Sequence, residues 1–182
     1  MATAAIPTLR DGDVTLRPIR ARDAKVLERV LLDNRSWLRQ WEATYPGGGT
    51  VIDTRASIRN LLAHARTGHA LPFVIEVDGE TAGMIQYADL GDEDFRHAAI
   101  DLFLAEGFRG RGLGRESIEV LIRHLTNDRG HHRLIIDPAV ANERAVRCYE
   151  AVGFRRVGVM RRYQRMADGH WEDGLLMEFV QD

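Results

Sequence analysis

The segment FRGRGLG, residues 108–114, sets three glycines and two arginines between an apolar run and a helical pattern. The run before it, AAIDLFLA (98–105), is typical of a buried strand, and RESIEVLIRHL (115–125) has the i, i+3, i+4, i+7 apolar spacing of an amphipathic helix. A glycine-rich turn between a strand and a helix exposes backbone N–H groups at the positive end of the helix dipole. Such a turn suits a phosphate group; the alternative is an ordinary turn whose glycines only supply positive φ.

Two other phosphate-binding motifs are absent from the sequence. The Gly-Lys-Ser/Thr ending of a P-loop does not occur, nor does Gly-x-Gly-x-x-Gly with a ribose-binding acid on a following strand. Nucleotide hydrolysis and dinucleotide binding are therefore not indicated.

Length, charge and cysteine content narrow the class of protein. A chain of 182 residues with 45% hydrophobic content predicts one domain, 1–182, with a substantial core. Its start lacks a signal-peptide pattern, and no window approaches the run of about 18 apolar residues that spans a membrane. A single cysteine argues against disulfides and thiolate metal sites, and a net charge of -2 argues against nucleic-acid binding. We expect a cytoplasmic protein with no metal; its oligomeric state stays open, with a homodimer as one alternative.

The order of predicted elements is β-α-α-β-β-β-α-β-α-β-β, an α/β sheet with helices on its faces. Asp23 begins a helix with Val26, Leu27, Val30 and Leu31 on one face, and a second helix covers 53–68, capped by Asp53 or Thr54 and stopped near Gly68. The Pro-Gly segment 46–49 predicts a loop. Hairpins are predicted at Asp78-Gly79 and Asp168-Gly169.

With these elements the sequence resembles the GNAT (GCN5-related) N-acetyltransferases. Residues Arg109–Gly114 satisfy the family's acetyl-CoA signature, Gln/Arg-x-x-Gly-x-Gly/Ala. NERAVRCYEAVGF (142–154) fits the downstream segment Asn-x-x-Ala-x-x-x-Tyr-Glu-x-x-Gly-Phe at the expected distance. The resemblance covers nearly the whole chain. It implies a mixed central sheet that splays apart between two parallel strands, with helices on both faces.

The resemblance also implies how acetyl-CoA, the acetyl donor, would be held. Pantetheine would pair with the backbone of the strand before the glycine loop, and the pyrophosphate would lie on the loop amides with the arginines around it. Asn142 matches a pantetheine-contacting position, although capping its helix is the alternative role. The expected cofactor-binding residues are Leu102, Phe103, Leu104, Arg109, Gly110, Arg111, Gly112, Leu113, Gly114, Arg115 and Asn142.

Two residues are candidates for the chemistry of direct acetyl transfer. Tyr149 matches the family's usual general acid, which protonates the leaving thiolate; the alternative is a core tyrosine. Asp101 interrupts an apolar run on the strand that should border the thioester. It is either a base that faces a cleft or a side chain that points to solvent. Glu76, Glu106 or a water chain are alternative proton acceptors. Cys148 points about 100° away from Tyr149 around the helix, so we expect a buried, inert thiol rather than an acetylated cysteine.

The acceptor amine is indicated differently by the two ends of the chain. The Ile-Asp strand, the Gly-Leu-Gly loop and the Asp-Pro…Asn-x-Arg-Ala-x-Arg-Cys-Tyr-Glu segment resemble aminoglycoside 6'-N-acetyltransferases, in which Asp101 falls at the proposed base. Asn-Arg-x-x-Leu-x-x-Trp-Glu (34–42) resembles RimJ-type acetyltransferases of ribosomal protein N-termini. Trp37 and Trp41 either line the acceptor cleft or form a core pair. A module that binds acetyl-CoA without turnover is the third alternative.

Overall fold

One mixed sheet of eight strands forms the framework of the molecule. The structure is a computed structural model that describes residues 6–41, 54–67, 70–91, 94–166 and 168–181. The strand order across the sheet is β1-β2-β3-β4-β5-β6-β8-β7. The strands are β1 (Leu9–Asp11), β2 (Val14–Pro18), β3 (Ala70–Val77), β4 (Glu80–Asp89), β5 (His97–Leu104), β6 (Arg133–Ile136), β7 (Arg155–Arg165) and β8 (Trp171–Val180).

Five α-helices within the described residues cover the sheet. They are α1 (Ala24–Asp33), α2 (Arg35–Leu38), α3 (Thr54–Thr67), α4 (Leu113–Arg123) and α5 (Glu143–Val152). Short 3-10 turns span Ala21–Asp23 and Glu106–Phe108, and a π-helical turn, His124–Asp128, continues α4. In the parts of the chain that the structure describes, none of the helices has the length and apolar character needed to cross a membrane.

The sheet opens between β5 and β6, which pair in parallel. Only three residue pairs join them: His97–Arg133, Ala98–Leu134 and Ala99–Ile135. Beyond Ala99, β5 continues to Leu104 paired with β4 alone, so this edge of β5 has no strand partner among the described residues. The splayed α/β architecture that the sequence predicts is therefore confirmed.

Apolar clusters on the two faces of the sheet hold this framework in place. The larger cluster packs α4 and α5 against one face, with Ile118, Leu121 and Leu125 fully buried at the predicted helical spacing. The smaller cluster packs α1 and α3 against the other face through Leu27, Ile58 and neighbouring apolar residues. Each fully buried aliphatic side chain contributes about 1.5–3 kcal/mol relative to exposure, so the helices on both faces are held firmly against the sheet.

Local predictions agree with the structure at most turns. The hairpin at Asp78-Gly79 is confirmed, and both residues have positive φ (52° and 80°), as a type I′ turn requires. The second helix is confirmed over Thr54–Thr67, whereas its predicted cap at Asp53, its stop at Gly68 and the loop 46–49 lie outside the described residues.

Two features at the N-terminal end differ from the prediction. Val26 is 49% exposed, because the buried face of α1 is formed by Ala24 and Leu27 instead. Strand β1 was not predicted: it has three residues, too few to show an alternating pattern, and it depends on pairing with β2.

We predict that Gly83→Ala destabilises the protein by disturbing the unpaired end of β5. Gly83 pairs with Leu104, and a Cβ at this position would overlap the carbonyl oxygen of Phe103. The expected loss is about 1–3 kcal/mol of unfolding free energy in urea titration, as for other overpacked sites. Gly158→Ala on β7 is the control, because a Cβ there meets no atom within 4 Å. Equal losses for the two variants would contradict the prediction.

Candidate active site

Two cavities lie at the opening of the sheet and share a wall. The first, of about 300 Å³, is called the loop cavity because residues of the glycine turn line it. The second, of about 260 Å³, is called the carboxylate cavity because Asp101 and Asp137 line it. The described residues that line both are Trp37, Leu102, Phe103, Asn142 and Tyr149. A molecule that filled both cavities would pass these five residues.

The glycine turn presents free backbone donors to the loop cavity. Gly112 is the N-cap of α4, with φ of 83°, and it has no side chain to accept hydrogen bonds from the first turn of the helix. A Cβ at Gly112 would meet no atom within 4 Å, so the backbone is open to approach. Leu113 is 2% exposed and anchors the turn in the core, which leaves only its backbone for a ligand. Uncapped N–H groups at a helix N-terminus form an anion site.

Several arginines lie around this turn, and three of them, Arg109, Arg115 and Arg144, line the loop cavity. Arg115 lies in the first turn of α4 and pairs with Glu119 at 2.8 Å. A guanidinium nitrogen of Arg144 lies 3.5 Å from where a Cβ of Gly110 would stand. Arg111 is exposed, 5.8 Å from the Phe108 ring centroid. Sequence reasoning missed Arg144, although it lies within the quoted segment 142–154, because it becomes a neighbour of the loop only in three dimensions.

The guanidinium of Arg109 is directed differently from the other arginines. It donates hydrogen bonds to the Leu104 carbonyl (2.9 Å) and to the Asn34 side chain (2.8 Å), and it stacks 3.6 Å above the Trp37 ring. Burial lowers the pKa of Arg109. The side chain of Arg109 already contacts three other residues of the protein. Its contact with a cofactor stays a prediction.

Asn142 lies at the wall between the cavities and caps α5. Its Oδ1 accepts a hydrogen bond from the backbone N–H of Ala145 at 3.2 Å. The side-chain nitrogen has no hydrogen-bond partner among the described residues. The capping role is thus observed, and the nitrogen remains available for the predicted contact with pantetheine.

Asp101 faces the carboxylate cavity from the unpaired part of β5. Asp101 is exposed to water at the cavity mouth, while the inner walls of the cavity partly desolvate its carboxylate. This desolvation raises the pKa of Asp101, and the nearby carboxylate of Asp137 raises it further. Gln86 donates a hydrogen bond to its Oδ2 at 3.3 Å, which favours the ionised form. Asp101 therefore lies where a proton acceptor for a cavity-bound amine would lie.

Asp137 is a second carboxylate in the same cavity, and sequence reasoning assigned it no role. It directly follows β6, opposite the unpaired part of β5. The Tyr163 hydroxyl donates a hydrogen bond to it, which raises the pKa of Tyr163 to about 12. The available signal was the Asp-Pro pair after a buried strand, since polar residues at strand ends commonly line ligand sites.

Tyr149 lies on α5 where the two cavities meet. Its ring packs against Phe154 with centroids 6.2 Å apart, and its hydroxyl has no hydrogen-bond partner among the described residues. Burial raises the pKa of Tyr149 strongly, and the charge of Asp101 adds to this. The phenol is therefore neutral at physiological pH and keeps its proton.

The remaining candidates divide between the site and the rest of the molecule. Glu76 pairs with Arg17 at 2.9 Å, and Glu106 is exposed; neither lines the carboxylate cavity or the loop cavity. Cys148 lines the loop cavity and is only half-buried, which differs from the expected buried thiol, although burial still raises its pKa. Trp37 and Trp41 line the carboxylate cavity and contact each other, with ring centroids 6.3 Å apart, but both are only half-buried, so they are not a core pair. Their role in an acceptor cleft stays a prediction.

Comparison with known proteins agrees with this arrangement. Residues 34–154 match the model of the acetyltransferase (GNAT) family. The chain is 30% identical over 167 residues to aminoglycoside N(6')-acetyltransferase type 1 of Klebsiella pneumoniae, covering 86% of this chain and 81% of the relative. It is 22% identical over 165 residues to spermidine N(1)-acetyltransferase of Escherichia coli K12, covering 90% and 84%. Mycobacterium smegmatis RimJ, solved with CoA-disulfide, superposes with a TM-score of 0.83 at 31% identity over 96% of this chain and 86% of that one.

We predict that Asp101→Asn stabilises the folded protein at neutral pH. Folding raises the pKa of Asp101 above its usual value of 3.8, so the ionised carboxylate opposes folding wherever it is charged. The stabilisation should be complete above the raised pKa and should disappear as the pH falls below 3.8. Thermal melts between about pH 3 and about pH 8, a range that begins below the ordinary carboxyl value and ends above the histidine value, measure this trend.

Asp13→Asn is the matched control, because Asp13 is exposed in the turn between β1 and β2. Its melting temperature should differ little from wild type across the series. A lower melting temperature for Asp101→Asn at neutral pH would contradict the prediction and would indicate that its interaction with Gln86 outweighs desolvation.

Proposed function

Because the chain belongs to the acetyltransferase (GNAT) family, we propose that it moves an acetyl group directly from acetyl-CoA to a primary amine of a cationic small molecule. Membership of the family makes the protein an N-acetyltransferase with acetyl-CoA as its donor. The acceptor is the new element of the proposal. The observation that carries it is the pair of carboxylates, Asp101 and Asp137, in one cavity that meets the loop cavity at Tyr149.

The loop cavity fits the donor. Its uncapped N–H groups at Gly112 and Leu113 match the charge of a pyrophosphate, and Arg115 and Arg144 add positive charge beside them. The unpaired edge of β5 offers backbone groups to the amides of pantetheine, in the manner of an added strand. Acetyl-CoA supplies an activated acetyl group, held with its thioester near the wall that the cavities share.

The residues at that wall suit the proton transfers of aminolysis. Asp101 accepts a proton from the attacking amine, whose nitrogen forms the new bond to the acetyl carbon as the C–S bond breaks. Tyr149 donates its phenolic proton to the departing sulfur. Its raised pKa keeps the phenol protonated until the sulfur carries charge. No cysteine is required as an intermediate carrier, and Cys148 lines the loop cavity rather than the carboxylate cavity.

Charge in the carboxylate cavity favours an acceptor with more than one cationic group. One carboxylate is needed to take the proton of the reacting amine, which leaves Asp137 to bind a second cation, and Trp37 and Trp41 line the same cavity. Two relatives are named for the acetylation of an aminoglycoside and of spermidine. Both of these acceptors carry several amines. The single cysteine and the acetyl-CoA donor support a cytoplasmic location.

A protein N-terminus is the second candidate acceptor. The 31% identity to Mycobacterium smegmatis RimJ over nearly the whole chain favours it, as does the segment 34–42. An α-amine carries one charge, however, and would use only one of the two carboxylates. The two acceptors therefore differ in their dependence on Asp137.

We predict that Tyr149→Phe lowers turnover and leaves acetyl-CoA binding unchanged. The substitution keeps the ring against Phe154 and removes only the proton that Tyr149 would donate. General acid catalysis contributes about 10²- to 10⁴-fold, and kcat and kcat/KM should fall together. Steady-state kinetics, calorimetry with CoA and a thermal melt are compared for wild type and variant. Tyr87→Phe is the matched loss of a tyrosine hydroxyl, because Tyr87 is buried and lines neither cavity, and it should retain most of kcat. A normal kcat with a lowered melting temperature would assign Tyr149 to packing.

The acceptor prediction is tested with a panel of amines. Thiol release from acetyl-CoA is measured with kanamycin, spermidine and peptides that start with Ala or Ser. We expect at least one polycation to exceed the peptides by more than about tenfold in kcat/KM, a difference of about 1.4 kcal/mol. Asp137→Asn should remove most of that preference while sparing the peptides. Faster acetylation of the peptides would favour the RimJ-like alternative, and CoA binding without thiol release from any amine would favour a non-catalytic module.

A further inference from the structure

Asn34 is a buried polar residue at the joint between α1 and α2. It is 7% exposed, and its backbone carbonyl accepts hydrogen bonds from the N–H groups of Trp37 and Leu38, the last two residues of α2. Its side-chain nitrogen donates to the Val30 carbonyl at 2.8 Å. Its Oδ1 accepts two hydrogen bonds from the far side of the opening, from the Glu106 N–H at 2.7 Å and from Arg109 at 2.8 Å. One side chain thus joins α1 and α2 to the turn that precedes the glycine loop.

Arg109 completes this connection. Its Nε donates to the carbonyl of Leu104, the last residue of β5, while its Nη2 donates to Asn34. The guanidinium plane lies 3.6 Å from the centroid of the Trp37 ring, within the range of a cation–π contact. The planar fork of arginine makes these contacts at once, which a lysine could not do. Gly110, the next residue, begins the turn that faces the loop cavity.

Trp37, whose ring contacts Arg109, belongs to the wall that the two cavities share. It lines both, and with Leu38 and Trp41 it forms the wall of the carboxylate cavity on the α2 side. Helix α2 has four residues and cannot hold its position alone. Asn34, Trp37 and Arg109 are called the Asn34 cluster below. The contacts within the cluster hold α2 in place relative to the glycine turn.

We infer that Asn34 and Arg109 are positioning residues that couple the acceptor wall to the donor loop. The first arginine of the signature acts here through its contacts with Asn34, Leu104 and Trp37 rather than as a phosphate ligand. Its loss would release α2 and Trp37 and so weaken acceptor binding, while the N–H groups of the turn would still hold the donor. The inference rests on the proposed function, which assigns the loop cavity to acetyl-CoA and the carboxylate cavity to the amine.

The experiment uses two variants that break the cluster and one that preserves it. Arg109→Gln removes the guanidinium, and Asn34→Leu removes both acceptor contacts while keeping a side chain with the same branching and the same number of heavy atoms. Asn34→Asp keeps an oxygen acceptor for Arg109 and for the Glu106 N–H, adds a negative charge beside the guanidinium, and loses the donation to the Val30 carbonyl. The dissociation constant of CoA is measured by calorimetry at several salt concentrations. The KM and kcat are measured for the panel amine, whether kanamycin, spermidine or a peptide, that gives the highest kcat/KM in wild type.

We expect Arg109→Gln and Asn34→Leu to raise the acceptor KM on the order of tenfold, the loss of about one charge-assisted hydrogen bond. The dissociation constant of CoA should stay within about threefold, a change of under 1 kcal/mol, with an unchanged salt dependence. Asn34→Asp should match wild type in both quantities. The double variant Asn34→Leu/Arg109→Gln should lose little more than either single variant, because both remove the same contact. Arg144→Gln is the contrast, expected to weaken CoA and to flatten its salt dependence.

Two results would overturn the inference alone. If Arg109→Gln weakens CoA as Arg144→Gln does, with a flatter salt dependence and an unchanged acceptor KM, then Arg109 is a phosphate ligand. If the variants lower only the melting temperature and leave both constants unchanged, the cluster is structural. Failure of the proposed function appears differently, in wild type that does not bind CoA or in Gly112→Glu that binds it normally. That result would overturn the inference together with the proposed function.

Discussion

The separation of β5 from β6 after three residue pairs is the constraint on which the rest of the site depends. Backbone N–H and C=O groups left unpaired inside a protein cost free energy, so a sheet opens in its middle only where other elements hold it open. Here α4 and α5 are anchored in the large apolar cluster, and Leu113 fixes the start of α4. The open edge of β5 then provides backbone groups for a ligand instead of for another strand.

Positive and negative side chains lie in different cavities along this opening. The glycine turn, Arg115 and Arg144 make the loop cavity positive, while Asp101 and Asp137 make the carboxylate cavity negative. Tyr149 stands between them with its proton retained, since burial and Asp101 both disfavour the phenolate. The arrangement suits a reaction between an anionic donor and a cationic acceptor. It also has a cost in stability, because desolvation in the partly enclosed cavity, together with the charge of Asp137, raises the pKa of Asp101 and so opposes folding at neutral pH.

The Asn34 cluster gives the two charged cavities a common support. Helix α2 is too short to be stable alone, and its first turn depends on Asn34 and on the contact between Arg109 and Trp37. Because Arg109 also donates to the carbonyl of Leu104, direct contacts join the end of β5, the glycine turn and the α2 wall of the carboxylate cavity.

The sequence by itself determined the elements whose signals are local: the hairpin at Asp78-Gly79, the glycine turn, the amphipathic face of α4 and the helix begun by Asn142. These follow from φ preferences, periodicity and capping, which act over a few residues. The tertiary structure alone decided which side chains meet. Asn34 and Arg109 are 75 residues apart, and Tyr163 and Asp137 are 26 apart. The direction of Arg109 toward Trp37 and the meeting of Asp101 with Asp137 depend on chain packing, because no local preference specifies contact between residues so distant in the chain.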